Sequence, residues 1–116
     1  MTRNNVVVLK FGGTSVATPE LRELAILRLR EEIERGNAPV AVVSAMGRSP
    51  EPYATDTLLG LGGAQSGTRT SDLLVSCGEL ISAAVFAATL EADGLAAVAL
   101  SGAQAGIITN GKHGDA

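Results

Sequence analysis

The stretch VVVLKFGGTSV, residues 6–16, joins an apolar run to a lysine and a pair of glycines. The β-branched run Val6–Leu9 is typical of a buried central strand, and we expect that strand to stop at Lys10-Phe11-Gly12-Gly13. Paired glycines let backbone N–H groups approach a ligand closely, and the lysine adds a positive charge. The stretch therefore predicts a phosphate site. The local pattern fits equally well a strand that ends in a glycine turn beside a solvated lysine.

Two further apolar runs predict strands at residues 39–43 and 96–100. Between the first of these and Val6–Leu9, Thr18-Pro19-Glu20 predicts the start of a helix, with Thr18 as N-cap, and Gly36 its end. Its apolar face is expected at residues 21, 25, 26, 29 and 33. Residues 45–53 predict a loop, 55–61 a short helix and 60–68 a flexible connector. A long helix is expected from about residue 70 to 93, with a kink at Gly78.

The alternation of strands and helices predicts an α/β fold, a mostly parallel sheet with helices on both faces. Ligands bind such sheets outside the carboxyl ends of the strands. Three small, polar, glycine-containing segments follow the predicted strands, at residues 10–13, 44–47 and 101–104. Because they share one edge of the sheet, they favour the phosphate site over the plain glycine turn.

Composition excludes several classes of protein. The chain has 116 residues, about one domain, with 46% hydrophobic and 3% aromatic residues, so aliphatic side chains must build the core. A net charge of −3 without a basic cluster argues against a nucleic-acid partner. The single cysteine, Cys77, excludes an internal disulfide and fits a reducing compartment. No signal-peptide pattern is present, and the longest apolar run, residues 83–90, is too short to span a bilayer. We expect a soluble cytoplasmic protein without a membrane partner.

The glycine-rich stretch is not a Walker A loop, because its lysine precedes the glycines. The order Lys-x-Gly-Gly after a first strand instead resembles the amino acid kinase superfamily. Within it, KFGGTSV, VVSAMG, PYATD, SCGELIS and SGAQAGIITN resemble, in the same order, the N-terminal region of the aspartokinase family. The PYATDTLLGL segment is most similar to the diaminopimelate-regulated aspartokinases of spore-forming bacteria. The resemblance implies an amino acid kinase-like three-layer sandwich, here incomplete.

The resemblance also implies the reaction and its residues. ATP would phosphorylate the side chain of L-aspartate to 4-phospho-L-aspartate, with Mg²⁺ bound through the nucleotide phosphates and no protein metal ligand. The phosphates would be bound by Lys10, Phe11, Gly12 and Gly13, and Lys10 would be the catalytic residue. The substrate would be bound by Ser15, Ser44, Thr55 and Glu79.

Several of these residues have simpler interpretations. Thr55 alternatively caps the helix that begins beside it, Glu79 is alternatively an exposed helix acid, and Ser44 alternatively only terminates its strand. Cys77 is expected to be a small buried packing residue. His113 is expected in a surface loop, without an assigned role.

The resemblance covers residues 1–116 as the N-terminal part of a catalytic domain. The family's Gly-Arg-Gly-Gly-Ser-Asp segment, most of its nucleotide half and its ACT regulatory domains are missing, so we expect an inactive fragment. The full-length protein would be a homo-oligomer. Two alternatives remain: an amino acid kinase with another acceptor, such as glutamate, acetylglutamate or UMP, and a module that only binds a partner or packs as a dimer.

Overall fold

The computed structural model describes residues 4–62 and 67–115, so residues 63–66 of the predicted connector lie outside the described part. The elements follow in the order β1 (Val6–Phe11), a 3₁₀ turn (Gly13–Ser15), α1 (Pro19–Glu34), β2 (Ala38–Val43), α2 (Thr55–Leu61) and α3 (Arg69–Ala92). This order confirms the α/β fold class. It also confirms α2 at its predicted bounds and the long helix that follows.

Strands β1 and β2 form a parallel pair in register from Val6 opposite Ala38 to Phe11 opposite Val43. Helix α1 is the crossover that a parallel connection requires. The first strand is two residues longer than the sequence predicts. Lys10 and Phe11 belong to it because Val42 and Val43 continue the ladder beside them. The glycines therefore follow the strand directly.

The helices cover one face of this sheet. Leu9, Phe11, Ala41 and Val43 pack against a core of residues from α1, α3 and the strand-end loops, which includes Val16, Ile26, Leu29, Met46 and Phe86. On the opposite face, the side chains of Val6 and Val8 are 67% and 64% exposed, and those of Val40 and Val42 are 47% and 46% exposed. The prediction of helices on both faces therefore holds for one face of the described residues, since alternate strand residues point away from both helices.

Helix α1 begins where its capping residues predict. The N–H of Leu21 donates to Thr18 Oγ1 at 3.2 Å, and Gly36, at φ +84°, follows the C-terminal end. The buried face is narrower than predicted: Ala25, Ile26 and Leu29 are buried, whereas residues 21 and 33 at its ends are exposed. The end residues extend beyond the two strands and α3 that form the core.

Helix α3 runs without interruption over its 24 residues, so it is not broken at Gly78, where the sequence predicts a kink or a break. Its buried positions recur every four residues, at Gly78, Ser82, Phe86 and Leu90. The glycine lies on the packed face, where its missing side chain admits neighbouring segments instead of breaking the helix. By length and apolar composition alone, α3 would reach across a membrane. Core helices of soluble proteins pass the same test.

The predicted third strand is also wrong within the described residues, where Ala96–Leu100 is not a strand. Leu95 and Ala97 pack against the core, and Val98 and Leu100 are 81% and 53% exposed. The segment keeps the alternating pattern of a strand but forms no ladder with β1 or β2. Without hydrogen-bonded neighbours an alternating pattern does not make a strand.

Candidate phosphate and substrate site

The loops that follow β1 and β2 are in direct contact. The N–H of Ser44 donates to the carbonyl oxygen of Phe11 at 3.2 Å, and the N–H of Gly47 donates to that of Gly13 at 2.9 Å. A Cβ on Gly13 would overlap the carbonyl oxygen of Ala45 and lie 3.1 Å from that of Gly47. The second glycine of the pair is thus required by this close approach of two backbones.

Helix α3 meets the same loops at Gly78. A Cβ there would lie 2.7 Å from Leu58 Cδ1, 2.9 Å from the carbonyl oxygen of Tyr53 and 3.2 Å from the Cβ of Ala45. Two segments therefore converge on this one position: the loop between β2 and α2, through Ala45 and Tyr53, and α2 itself, through Leu58. The convergence places the start of α2 and the middle of α3 against the strand-end loops.

The backbone after β1 presents free hydrogen-bond donors. Neither the N–H of Gly12 nor that of Gly13 donates a hydrogen bond within residues 4–62 and 67–115. The amide N–H groups therefore remain free to bind an anion. Gly12 has an ordinary extended conformation, with φ −68°, and a Cβ on it would meet no atom within 4 Å. Gly12 keeps open space beside the donors, whereas Gly13 permits loop packing.

Lys10 lies at the end of β1 on the face of the sheet that the helices leave uncovered, and its side chain is exposed. It forms no ion pair with any residue in the described part of the chain. Phe11, the next residue, points to the covered face, and its ring centroid lies 5.9 Å from that of Phe86. The ring of Phe11 therefore belongs to the core, and its carbonyl oxygen is already bound by the N–H of Ser44.

The four predicted substrate residues follow the strand ends and lie on the helices packed against them. Ser15 ends the 3₁₀ turn and is exposed, and Ser44 is half-buried directly after β2. Thr55 is the first residue of α2, whose N-cap is Ala54, so the alternative of a capping threonine does not hold. Glu79 is exposed next to Gly78. Its exposure agrees with the alternative of an exposed helix acid and leaves the carboxylate accessible to a ligand.

The structure also tests the positions predicted for Cys77 and His113. Cys77 is exposed, so its expected role as a buried packing residue is wrong; the neighbouring Gly78 is the buried residue at this turn of α3. His113 lies on the surface, as expected, and its Nδ1 is 3.1 Å from Asp72 Oδ2 at the start of α3. The carboxylate also accepts the N–H of Gly114.

Ala45 and Gly78 let the segments of the site approach one another, and this role was not predicted from the sequence. A glycine in the interior of an otherwise apolar helix was the available signal, since such glycines commonly mark close packing. The described residues contain no group of three or more His, Cys, Asp or Glu side chains that could hold a metal ion.

Comparison with known families identifies the scaffold. The model of the amino acid kinase family matches residues 5–115. The chain belongs to the amino acid kinase family. Aspartokinase 1 of Bacillus subtilis (strain 168) is 53% identical over 114 residues, a match that covers 96% of the chain and 28% of the relative. The aspartokinase of Geobacillus stearothermophilus is 43% identical, with 96% and 27% covered.

Among solved structures, a crystal structure of aspartate kinase from Synechocystis matches with a TM-score of 0.64 and 36% identity. The match covers 76% of this chain and 15% of that one. The amino acid kinase fold is thus shown by sequence and by structure. The chain spans about a quarter of the length of the curated relatives given above.

Proposed function

We propose that the protein to which this chain belongs is an aspartate kinase. It would transfer the γ-phosphoryl group of ATP to the side-chain carboxylate of L-aspartate and form 4-phospho-L-aspartate, an early step in the synthesis of lysine, threonine and methionine. Membership of the amino acid kinase family and similarity to proteins named aspartokinase support this proposal. No relative named above is a kinase for glutamate, acetylglutamate or UMP, which favours aspartate as the acceptor.

The observation that carries the proposal is the convergence of four sequence blocks in space. The loop after β1 contacts the loop after β2 through Gly13 and Gly47, and Gly78 of α3 contacts both Ala45 and Tyr53. The blocks KFGGTSV, VVSAMG, PYATD and SCGELIS therefore pack against one another at the ends of the strands. A substrate that contacts residues from all four blocks requires this arrangement.

The residues after β1 fit the phosphates of ATP. An unpaired ammonium group on Lys10 and the free N–H groups of Gly12 and Gly13 supply one full and two partial positive charges. Phosphoryl transfer depends on this kind of electrostatic stabilisation and positioning, with no covalent intermediate on the protein. ATP supplies the phosphoryl group when it is bound. Mg²⁺ would be held through the nucleotide phosphates, since the described residues offer no acidic cluster.

The substrate side of the site is formed by polar groups on the neighbouring elements. Glu79 would bind the α-ammonium group of aspartate, and the hydroxyl group of Thr55 at the start of α2 would donate to a carboxylate. Ser15 and Ser44 lie nearer the phosphate loop, where they would orient the acceptor. The exposed position of Glu79 means that this half-site is open in the isolated chain.

Because the chain spans about a quarter of its relatives' length, the complete activity is assigned to the longer protein. The isolated chain would be an inactive part that retains the phosphate loop and part of the aspartate site. We further propose that the longer protein is a cytoplasmic homo-oligomer of the diaminopimelate-regulated type, without a nucleic-acid partner.

The proposal is tested by titrating L-aspartate into the isotope-labelled chain and following its amide NMR signals. We expect saturable shifts near Thr55 and Glu79. Glu79→Gln should weaken the response at least tenfold, and Glu91→Gln should leave it unchanged, because Glu91 is an exposed glutamate on the same helix but away from the loops. An equal response in both variants would contradict the assignment of Glu79. The absence of any saturable shift would contradict an aspartate half-site in this chain.

A further inference from the structure

A pocket of about 340 Å³ lies between α1, α3 and the loop after β2. Its lining consists of Ala17, Arg22, Met46, Glu51, Pro52, Tyr53 and Val85. None of the residues assigned above to ATP or aspartate lines it. Its volume falls at the lower end of the range for small-molecule sites, about 300–1,000 Å³.

One wall of the pocket carries a cation without an anionic partner. Arg22 Nη1 donates to the carbonyl oxygen of Val16 at 2.8 Å and contacts Met46 Sδ at 3.6 Å, and both partners are uncharged. The Nε atom is buried and has no hydrogen-bond partner within the described residues. A buried donor without a partner destabilises the structure, and more so when the group is charged. Nη2 donates no hydrogen bond within the described residues and is not among the buried atoms, so a carboxylate in the pocket would bind there, because guanidinium groups form strong hydrogen bonds with carboxylates.

Another wall carries a carboxylate. The side chain of Glu51 packs directly over Gly47, whose φ of +79° and missing Cβ make room for it. The backbone of Glu51 is fixed by its N–H, which donates to the carbonyl oxygen of Arg48 at 2.8 Å. The carboxylate forms no ion pair with Arg22 or with any other residue of the described ranges. Apolar groups of Ala17, Met46 and Val85 complete the lining.

We propose that this pocket binds an α-amino acid with an apolar side chain. The carboxylate of the ligand would bind Arg22, its ammonium group would face Glu51, and its side chain would pack against Met46 and Val85. A zwitterion fits because the pocket offers one unpaired charge of each sign, whereas a simple anion would leave Glu51 without a partner. Since Arg22 also holds the carbonyl oxygen directly after the 3₁₀ turn, an occupant would contact the support of the phosphate loop.

The experiment is an amide NMR titration of the labelled chain with L-leucine. We expect saturable shifts at Ala17, Tyr53 and Val85, with half-saturation at millimolar concentration or below. L-Leucinamide, which lacks the carboxylate, should bind at least tenfold more weakly. The same applies to 4-methylpentanoate, which lacks the ammonium group. These two ligands test each charge without changing the protein.

Two arginine variants complete the test. Arg22→Gln should abolish the leucine response, and Arg28→Gln should preserve it, because Arg28 is an exposed arginine of the same helix that pairs with Glu31. The proposal is overturned by the absence of saturable shifts or by equal binding of leucine and leucinamide. An unchanged response in Arg22→Gln would show that Arg22 only anchors the loop at Val16. Failure here is distinguishable from failure of the aspartate site, whose signals lie near Thr55 and Glu79.

Discussion

Replacing Gly78 by alanine would test the close approach that assembles the candidate site. In a helix interior this change alone stabilises a protein by up to about 1 kcal/mol, since glycine is the poorer helix former. Here the new Cβ would lie 2.7 Å from Leu58 Cδ1 and 2.9 Å from the carbonyl oxygen of Tyr53. The leucine methyl group can turn away, but the Tyr53 oxygen belongs to the backbone and moves only if its loop moves. Overpacking of this kind costs about 1–3 kcal/mol, so we expect a net loss of about 1 kcal/mol.

Gly60→Ala is the matched control. Gly60 also lies within a helix, α2, but a Cβ on it would meet no atom within 4 Å. The substitution should therefore stabilise the chain by a few tenths to about 1 kcal/mol. The assay is urea unfolding followed by circular dichroism, in which a change of about 1 kcal/mol moves the midpoint by roughly 0.5–1 M. The two midpoints should move in opposite directions. If Gly78→Ala stabilises the chain as much as Gly60→Ala does, the convergence on Gly78 is refuted.

Two further predictions concern the phosphate loop and the start of α1. In the longer protein, Lys10→Ala should lower kcat at least a hundredfold, because it removes the positive charge proposed to bind the phosphates. Glu79→Ala should mainly raise the KM for aspartate. A coupled kinase assay measures both variants, and unchanged kinetics in both would contradict the site. Thr18→Ala should destabilise the chain by about 1 kcal/mol through loss of the cap on Leu21, measured by urea unfolding. Thr109→Ala, in an exposed loop, is the control, and equal midpoints for the two threonine variants would show that the cap contributes nothing.

Most of the helices and strands could be predicted from the sequence, because the contacts that begin and end them involve residues close together in the chain. Thr18 caps α1 through the N–H three residues later, and Gly36 ends it in a left-handed conformation, so both contacts lie within a few residues. The glycine turn that follows Lys10 and Phe11 could be predicted for the same reason, since its signal lies in adjacent residues. The packing role of Gly78 was missed because local propensity predicts only a kink or a break, whereas the contacts that decide its role come from residues 45, 53 and 58.

The segments that form the candidate site could be predicted from the sequence, but the way they pack against one another could not. The pattern of each block names its residues, while the distances between blocks depend on contacts between residues 20 to 34 positions apart in the sequence. The exposure of Glu79 and Cys77 illustrates this limit, because each depends on which side of α3 meets the loops. A shift of one residue along the helix turns a side chain by about 100°, enough to move it from the packed face to solvent.

The uncovered face of the sheet explains the largest difference between sequence and structure. The runs VVVL and VAVV are typical of strands buried on both faces, yet alternate valines in both strands are 46–67% exposed. The radius of gyration is 15.5 Å, compared with about 13 Å for a compact domain of 100 residues. Both observations indicate that the composition of the strands reflects more contacts than the described residues supply. The curated relatives, nearly four times as long, contain the additional chain from which such contacts can come. Lys10 lies on this same uncovered face, so the residues proposed to bind phosphate adjoin the part of the sheet that no helix covers.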